Sequence, residues 1–294
     1  MPISEDQLET WAKQGQTGQF TSTYGTLEAV LNDSSSPYYL KDFKIFLQGS
    51  YKNDTNVYAD SDVDIIIRFD EIFYTDLDQL PAEDKAIYNA QRSPGGYTLD
   101  EFKSSVFSWL TKKYGNDVKS GTKAIYVKGN GSRRDADVLV CAKLRRYYKF
   151  KGPYEESHVD GICFFLPDGT RIENFPEEHS NNCTSKHQAT RQWFKPTVRV
   201  FKNLRNTLIS INVIEDGLAP SYFIEGLMYN MPPEYFGGTK QANFIDVLNW
   251  LIQADRSKFV CANAQFYLFG TSCVTWRADK CTKFLNAAMM YWDA

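Results

Sequence analysis

The sequence predicts an α+β protein of two lobes sharing a cleft, with a mixed β-sheet in residues 1–180 and a helical lobe in residues 181–294. Three observations carry this expectation. Apolar residues alternate with period two at 43–48, 61–69 and 134–142, the pattern of strands with one buried face. Beyond about residue 184 the apolar spacing becomes helical and stays so to the end. Finally, Asp62 and Asp64 stand at i and i+2 of a strand pattern, which puts both carboxylates on one face.

The elements follow in order. Residues 5–13 and 24–31 have amphipathic helical spacing, and the Asn-Asp-Ser-Ser-Ser-Pro run at 32–37 ends that opening segment. Phe43, Ile45 and Leu47 alternate with Lys44, Phe46 and Gln48 in a strand that stops at a Gly49-Ser50 turn. In the next strand, 61–69, Val63, Ile65 and Ile67 take one face and Asp62 and Asp64 the other. Residues 70–97 are acidic and polar and end in Ser93-Pro94-Gly95-Gly96, so they read as a long connection holding one short helix.

Leu99, Phe102, Val106, Trp109 and Leu110 define a helix over 99–114, with Gly115 as its stop. Strands at 122–128 and 134–142 flank Gly129-Asn130-Gly131, and strands at 161–166 and 170–175 flank Pro167-Asp168-Gly169. Helices are expected at 184–194, 197–211, 220–229, 240–254 and 280–292, with Pro196 and Pro220 at helix starts. Trp276 and Trp292 read as core anchors of the last helices, and His158, His179 and His187 as loop or surface positions without metal-ligand spacing.

Composition narrows the function classes. With 43% hydrophobic and 23% charged residues in 294, the chain is globular, which excludes disordered, collagenous and coiled-coil classes. A net charge of -3 argues against a protein built to grip long duplex nucleic acid but leaves small polyphosphates open. The apolar runs are far shorter than the roughly 20 residues of a membrane helix, and the start lacks a secretory pattern, so the expected compartment is the cytoplasm. Six cysteines without a C-x-x-C pair read as reduced thiols rather than a zinc module.

Two carboxylates on one strand face repel each other, and a hard divalent cation is one remedy. Asp-x-Asp alone fits a solvated strand edge as well as a metal site. The Gly49-Ser50 turn just before it supplies backbone N–H groups and a hydroxyl for phosphate, beside acceptors for a metal. A third acid comes from the later strand, where Asp135 and Asp137 share a face; Asp137 adjoins the apolar Val138-Leu139-Val140 run and is assigned to the site, Asp135 to solvent. Asp62, Asp64 and Asp137 together suffice to hold two Mg2+ ions, with Mn2+ as a substitute. Lys195, Arg199 and Lys202 fall on one helical face, which fits a solvated stripe or a phosphate contact. Ser221 lies in the first turn of a Pro-started helix, a place for phosphate or for ordinary capping. Asn174 and Thr190 could face a base or cap loops.

Gly49-Ser50, Asp62-x-Asp64 and the distant Asp137 resemble the signature of the DNA polymerase β superfamily of nucleotidyltransferases. The stretch Leu47-Gln-Gly-Ser-Tyr-Lys-Asn-Asp-Thr55, the third-Asp segment ending Arg145-Arg146-Tyr147, Phe194-Lys-Pro-Thr-Val-Arg-Val-Phe-Lys202 and Pro220-Ser-Tyr-Phe-Ile-Glu225 narrow the resemblance. They are similar to the cGAS/DncV-like group (CD-NTases), bacterial synthases of cyclic oligonucleotides related to animal cyclic GMP-AMP synthase. The resemblance implies a bilobed polymerase β-like fold whose N-terminal lobe carries the catalytic carboxylates. It makes Lys202 and Ser221 contacts to the donor triphosphate and Tyr222 a platform stacking on a base.

The same resemblance implies NTP substrates, ATP among them, and a cyclic di- or trinucleotide product formed with release of pyrophosphate. Such a product serves as a second messenger in anti-phage signalling, read by an effector or regulatory protein partner. The zinc module with which animal cyclic GMP-AMP synthase holds DNA is missing, so DNA activation is not implied. Two other readings stay open: a non-cyclising nucleotidyltransferase acting on an RNA end, a small molecule or a protein hydroxyl, and a catalytically silent nucleotide-binding regulator.

Overall fold

The computed structural model describes residues 3–15, 18–57, 62–91, 96–272 and 274–293. Ser61, Ser93-Pro94-Gly95 and Cys273 therefore lie outside the described residues. In chain order the first elements are α1 (Glu5–Ala12), α2 (Gly18–Leu31), β1 (Phe43–Leu47), α3 (Gly49–Lys52), β2 (Val63–Asp76), α4 (Ala82–Ala90) and α5 (Leu99–Tyr114). Strands β3 (Val118–Ser120), β4 (Ile125–Val127), β5 (Ala136–Gly152), β6 (Glu155–Phe165) and β7 (Arg171–Asn174) follow. The chain ends in helices α6 (Pro176–Ala189), α7 (Phe194–Ser210), α8 (Ser221–Tyr229), α9 (Lys240–Gln253) and α10 (Ala278–Asp293).

The chain divides into two compact units that are interleaved in sequence. A sheet unit is made of Thr17–Gln48 and Asp62–Phe175, and a helical unit of Met1–Gln16, Gly49–Ser61 and Pro176–Ala294. Asp62, Asp64 and Asp137 thus belong to the first, and Gly49 and Ser50 to the second.

In the sheet unit the strand order is β1-β2-β5-β4-β3, with β6 on β5 and β7 on β6. β2 and β5 run parallel while the other pairs are antiparallel, which makes the sheet mixed as expected. Val63, Ile65, Ile67 and Val138 are fully buried, the fate of the apolar face of each alternating strand. α5 covers the sheet with Phe102, Val106 and Leu110, and Phe102 stacks on Phe69 at 4.8 Å. Its bounds match the sequence reading because both ends are marked: Thr98 and Glu101 form a reciprocal capping box, and Gly115 at φ 59° closes the helix.

Two strands are longer than the pattern suggested. β2 continues to Asp76 through residues read as a connection, and β5 continues to Gly152. Their charged residues pair across the sheet, Arg146 with Asp76 at 2.7 Å and Lys143 with Asp160 at 2.9 Å. α4 is the one short helix expected in the connection, and β3 was not foreseen.

In the helical unit α7 buries Val198, Phe201, Leu204 and Leu208, and Phe201 meets Phe244 of α9 at 5.1 Å. α6 starts at Pro176, earlier than expected, and Pro196 sits in the first turn of α7, where its missing N–H is not needed. Trp276 is an anchor as foreseen: its indole donates to the Leu218 carbonyl at 3.0 Å and its ring stacks on Phe223. Trp292 packs on Phe244 at 5.0 Å. The five described cysteines are free and buried. Among the described residues no helix is long and apolar enough to cross a membrane.

Candidate active site

Strand register brings the acids of the sheet unit together. Asp64 of β2 pairs with Asp137 of β5 in the parallel ladder, flanked by Val63↔Ala136 and Ile65↔Val138. Register partners on adjacent strands point to the same face about 4.8 Å apart. Asp62 is exposed and immediately precedes β2, while Asp64 and Asp137 are half-buried. Burial, then the charges of Asp62 and Asp135, hold the Asp137 carboxyl above the usual carboxylate range. Asp62 therefore acts electrostatically on Asp137 from the position just ahead of β2.

Such a set of hard carboxylate oxygens, carrying more negative charge than it can comfortably hold, fits divalent cations. Sequence reasoning missed Tyr126 of β4, the register partner of Asp137. Burial and the neighbouring Asp135, Asp62 and Asp137 push its phenol up. The hairpin turn at 129–131 was the signal that could have placed it. Asp135, assigned to solvent, is half-buried, and its carboxylate accepts the Gly129 N–H at 2.6 Å.

Gln48, the residue before the Gly49-Ser50 motif, donates its backbone N–H to the Asp64 carbonyl at 3.1 Å. The motif begins a short helix rather than a plain turn, and Gly49 at φ 70° makes the reversal from β1. In the helical unit, the three α7 cations share a face as their spacing predicts, but that face is not solvated. Lys195 pairs with Asp54 at 2.9 Å, Arg199 donates to the Ala12 and Asp54 carbonyls, and Lys202 donates to the Thr55 carbonyl at 2.9 Å. Lys202 is fully buried, so its ammonium grips the segment after the motif and is not presented at a surface.

Ser221 is the first residue of α8, half-buried, and its hydroxyl accepts from Arg205 at 3.0 Å. The Tyr222 hydroxyl accepts from Asn263 at 2.9 Å, and its ring lies 4.9 Å from the His179 ring. Thr190 is buried and accepts the Phe194 N–H at 3.0 Å, and Asn174 accepts the N–H of Phe175. Both therefore cap backbone. His179, expected in a loop or at the surface, lies in α6, is buried and is bonded to Glu225 at 2.6 Å.

His179, Cys183 and Glu225 are buried with ligand atoms within 4.8 Å of one another. Their surroundings do not suit a cation. Glu225 already accepts from Asn53, Thr55 and His179, and the Lys202 charge bears on it. A metal there would meet a saturated carboxylate beside an ammonium.

Residues 181–293 match the family model of the cGAS/DncV-like nucleotidyltransferase C-terminal helical domain. Over 97% of its length the chain is 39% identical to a cyclic UMP-AMP synthase of Rhodothermus marinus, covering 96% of that protein. The chain belongs to the CD-NTases. This CD-NTase is also 34% identical to a cyclic dipurine nucleotide synthase of Elizabethkingia meningoseptica, over 97% of this chain and 99% of that one. It superposes on the solved structure of the Rhodothermus marinus CdnE c-UMP-AMP synthase with Apcpp and Upnpp with a TM-score of 0.87 at 38% identity, covering 99% of this chain and 97% of that one. Its fold is the polymerase β-like fold of the CD-NTases, and it is a nucleotidyltransferase of a family that generally uses divalent metal ions.

Proposed function

We propose that this nucleotidyltransferase condenses NTPs into a cyclic di- or trinucleotide with release of pyrophosphate, and that the product is a second messenger in bacterial anti-phage signalling. The observation that carries the reading is the register pairing of Asp64 with Asp137, with Asp62 acting on Asp137. Asp62, Asp64 and Asp137 are the catalytic carboxylates and hold two Mg2+ ions, for which Mn2+ can substitute. When bound, such ions would neutralise phosphate charge and make the attacking hydroxyl easier to deprotonate.

The chain's own groups position the reactants. Backbone N–H groups and the hydroxyl of Gly49-Ser50 receive the triphosphate. Ser221 offers a hydroxyl at the first turn of α8, and Tyr222 offers a ring to a base. A 3′-oxygen forms a bond to the α-phosphorus of a second nucleotide, the bond from that phosphorus to the β-phosphate bridge breaks, and pyrophosphate leaves while the hydroxyl proton passes to water. A second attack of the same kind closes a ring of two nucleotides, and a ring of three takes a third.

Incubation with Mg2+ and all four NTPs, followed by mass spectrometry, is expected to give a cyclic dinucleotide or trinucleotide. Linear oligomers or a nucleotidylated acceptor would overturn the cyclising reading and leave a non-cyclising transferase. Binding of NTPs without pyrophosphate release would instead leave the silent regulator.

A further inference from the structure

Glu225 is buried two hydrogen bonds from Ser50, and the acid ladder does not use it. One of its oxygens accepts the Thr55 hydroxyl, and the other accepts the Asn53 side-chain amide at 3.1 Å and His179 Nε2 at 2.6 Å. The backbone of the same two residues closes on the motif: Thr55 N–H donates to the Ser50 carbonyl at 2.9 Å and Asn53 N–H to the Gly49 carbonyl at 3.2 Å. Both carbonyls of Gly49-Ser50 are thus held by residues whose side chains end on one carboxylate. We propose that Glu225 is a positioning residue for the triphosphate motif, acting through Asn53 and Thr55 to fix Gly49 and Ser50 in their binding geometry. This rests on the reading of Gly49-Ser50 as the triphosphate contact.

Three features set this cluster apart from an ordinary packing anchor. The first is burial: Glu225 is 3% exposed, Asn53 5%, Thr55 0% and His179 4%. Water cannot replace a lost partner there, so each bond holds geometry that solvent would otherwise blur.

The second is polarity. The groups turned toward Glu225 are donors, the Asn53 amide, the Thr55 hydroxyl and His179 Nε2, with the Lys202 ammonium close by. An acceptor with no hydrogen of its own is what such a set requires, and a glutamine would turn an N–H against an N–H. Burial pushes the Glu225 carboxyl up, but the hydrogen bond and charge of His179, the Lys202 charge and the Thr55 hydroxyl outweigh it and hold it below the usual carboxylate range.

Strain is the third. Asp54, between the two clamped residues, sits at φ 53°, a left-handed conformation that non-glycine residues keep only when their surroundings hold it. Lys195 holds its carboxylate and Arg199 its carbonyl. Side chains from α7 and α8 therefore close on three consecutive residues of the loop that follows the motif, and His179 of α6 backs Glu225.

The test compares wild type, Glu225→Gln, Thr55→Val and Thr55→Ser by equilibrium binding of ATP with Mg2+, steady-state pyrophosphate release and urea unfolding. Thr55→Val keeps the shape and removes the hydroxyl; it is expected to stay folded and to weaken ATP binding and raise KM about tenfold, with kcat changed about threefold at most. Thr55→Ser keeps the hydroxyl and is expected to restore KM to about twice wild type or better. Glu225→Gln should do at least what Thr55→Val does; if it does not fold, the threonine pair decides the matter. Thr55→Val with a lowered unfolding midpoint but wild-type KM and ATP affinity would overturn the proposal. Wild type that binds ATP but releases no pyrophosphate would overturn the transferase reading alone and leave this one to the binding measurement. Wild type that binds no ATP would overturn both.

Discussion

The acid ladder of the sheet unit and the loop clamp of the helical unit are both clusters of charge, built on opposite principles. In the ladder, carboxylate faces carboxylate by strand register, and the Asp137 carboxyl is held above its usual range by burial and by Asp62 and Asp135. In the clamp one carboxylate lies among donors, and Glu225 is held below its usual range despite full burial. The clamp surrounds its charge with donors, whereas the ladder sets like charges side by side, the unfavourable arrangement that functional sites keep at the expense of stability. Asp64→Asn and Asp137→Asn should break this contrast most deeply. Each is expected to lower pyrophosphate release on the order of 10³-fold while leaving the metal-free unfolding midpoint unchanged or higher. A midpoint that fell with activity would show the ladder to be a structural brace.

The clamp should respond with the opposite sign. Glu225→Ala removes one partner from a buried charge network, which costs about 3–5 kcal/mol, read as a lower urea midpoint at unchanged slope. The two regions should also oppose each other in pH. Asp137 binds its proton more tightly folded than unfolded, so its contribution to stability is present below pH 3.8 and is lost as pH rises through its folded pKa. Glu225 is held down, so its contribution is present above pH 4.5 and is lost as pH falls through its folded pKa. In metal-free protein, Asp137→Asn should flatten the decline of the melting temperature with rising pH above 3.8, and Glu225→Gln the decline with falling pH below 4.5. Matching slopes in both variants would remove the contrast.

How much of this was legible depended on whether a residue's partner lay nearby in sequence. The helix α5 was readable end to end because its apolar stripe, its Thr98-Glu101 box and Gly115 are all local. The extensions of β2 and β5 were not, since Asp76 and Arg146 look like loop residues until the sheet sets them 2.7 Å apart. The aspartates could be named from i, i+2 spacing and the motif, but the register that faces Asp64 with Asp137 is a tertiary fact. The clamp was invisible for the same reason. Glu225 meets Thr55 across 170 residues and Asn53 across 172, so His179 read as a loop or surface residue and the α7 cations as a solvated stripe or a phosphate contact.

The smallest expected effect sharpens the comparison within the ladder itself. Asp135 stands just ahead of β5, two residues before Asp137, yet their carboxylates do different work. Asp135 accepts the Gly129 N–H at 2.6 Å, in a hairpin also fixed by Asn130 N–H on the Arg133 carbonyl at 2.7 Å and Arg133 N–H on the Asn130 side chain at 2.9 Å. A Cβ on Gly129 would lie 2.6 Å from the Arg133 carbonyl oxygen, so the tight turn is enforced by sterics as well. Asp135→Asn keeps an acceptor oxygen and gives up only the charge, which is expected to cost about 1 kcal/mol and to leave pyrophosphate release within about threefold of wild type. The identical exchange at Asp137 is expected to abolish it, and a loss just as deep at Asp135 would move the third carboxylate of the site two residues toward the hairpin.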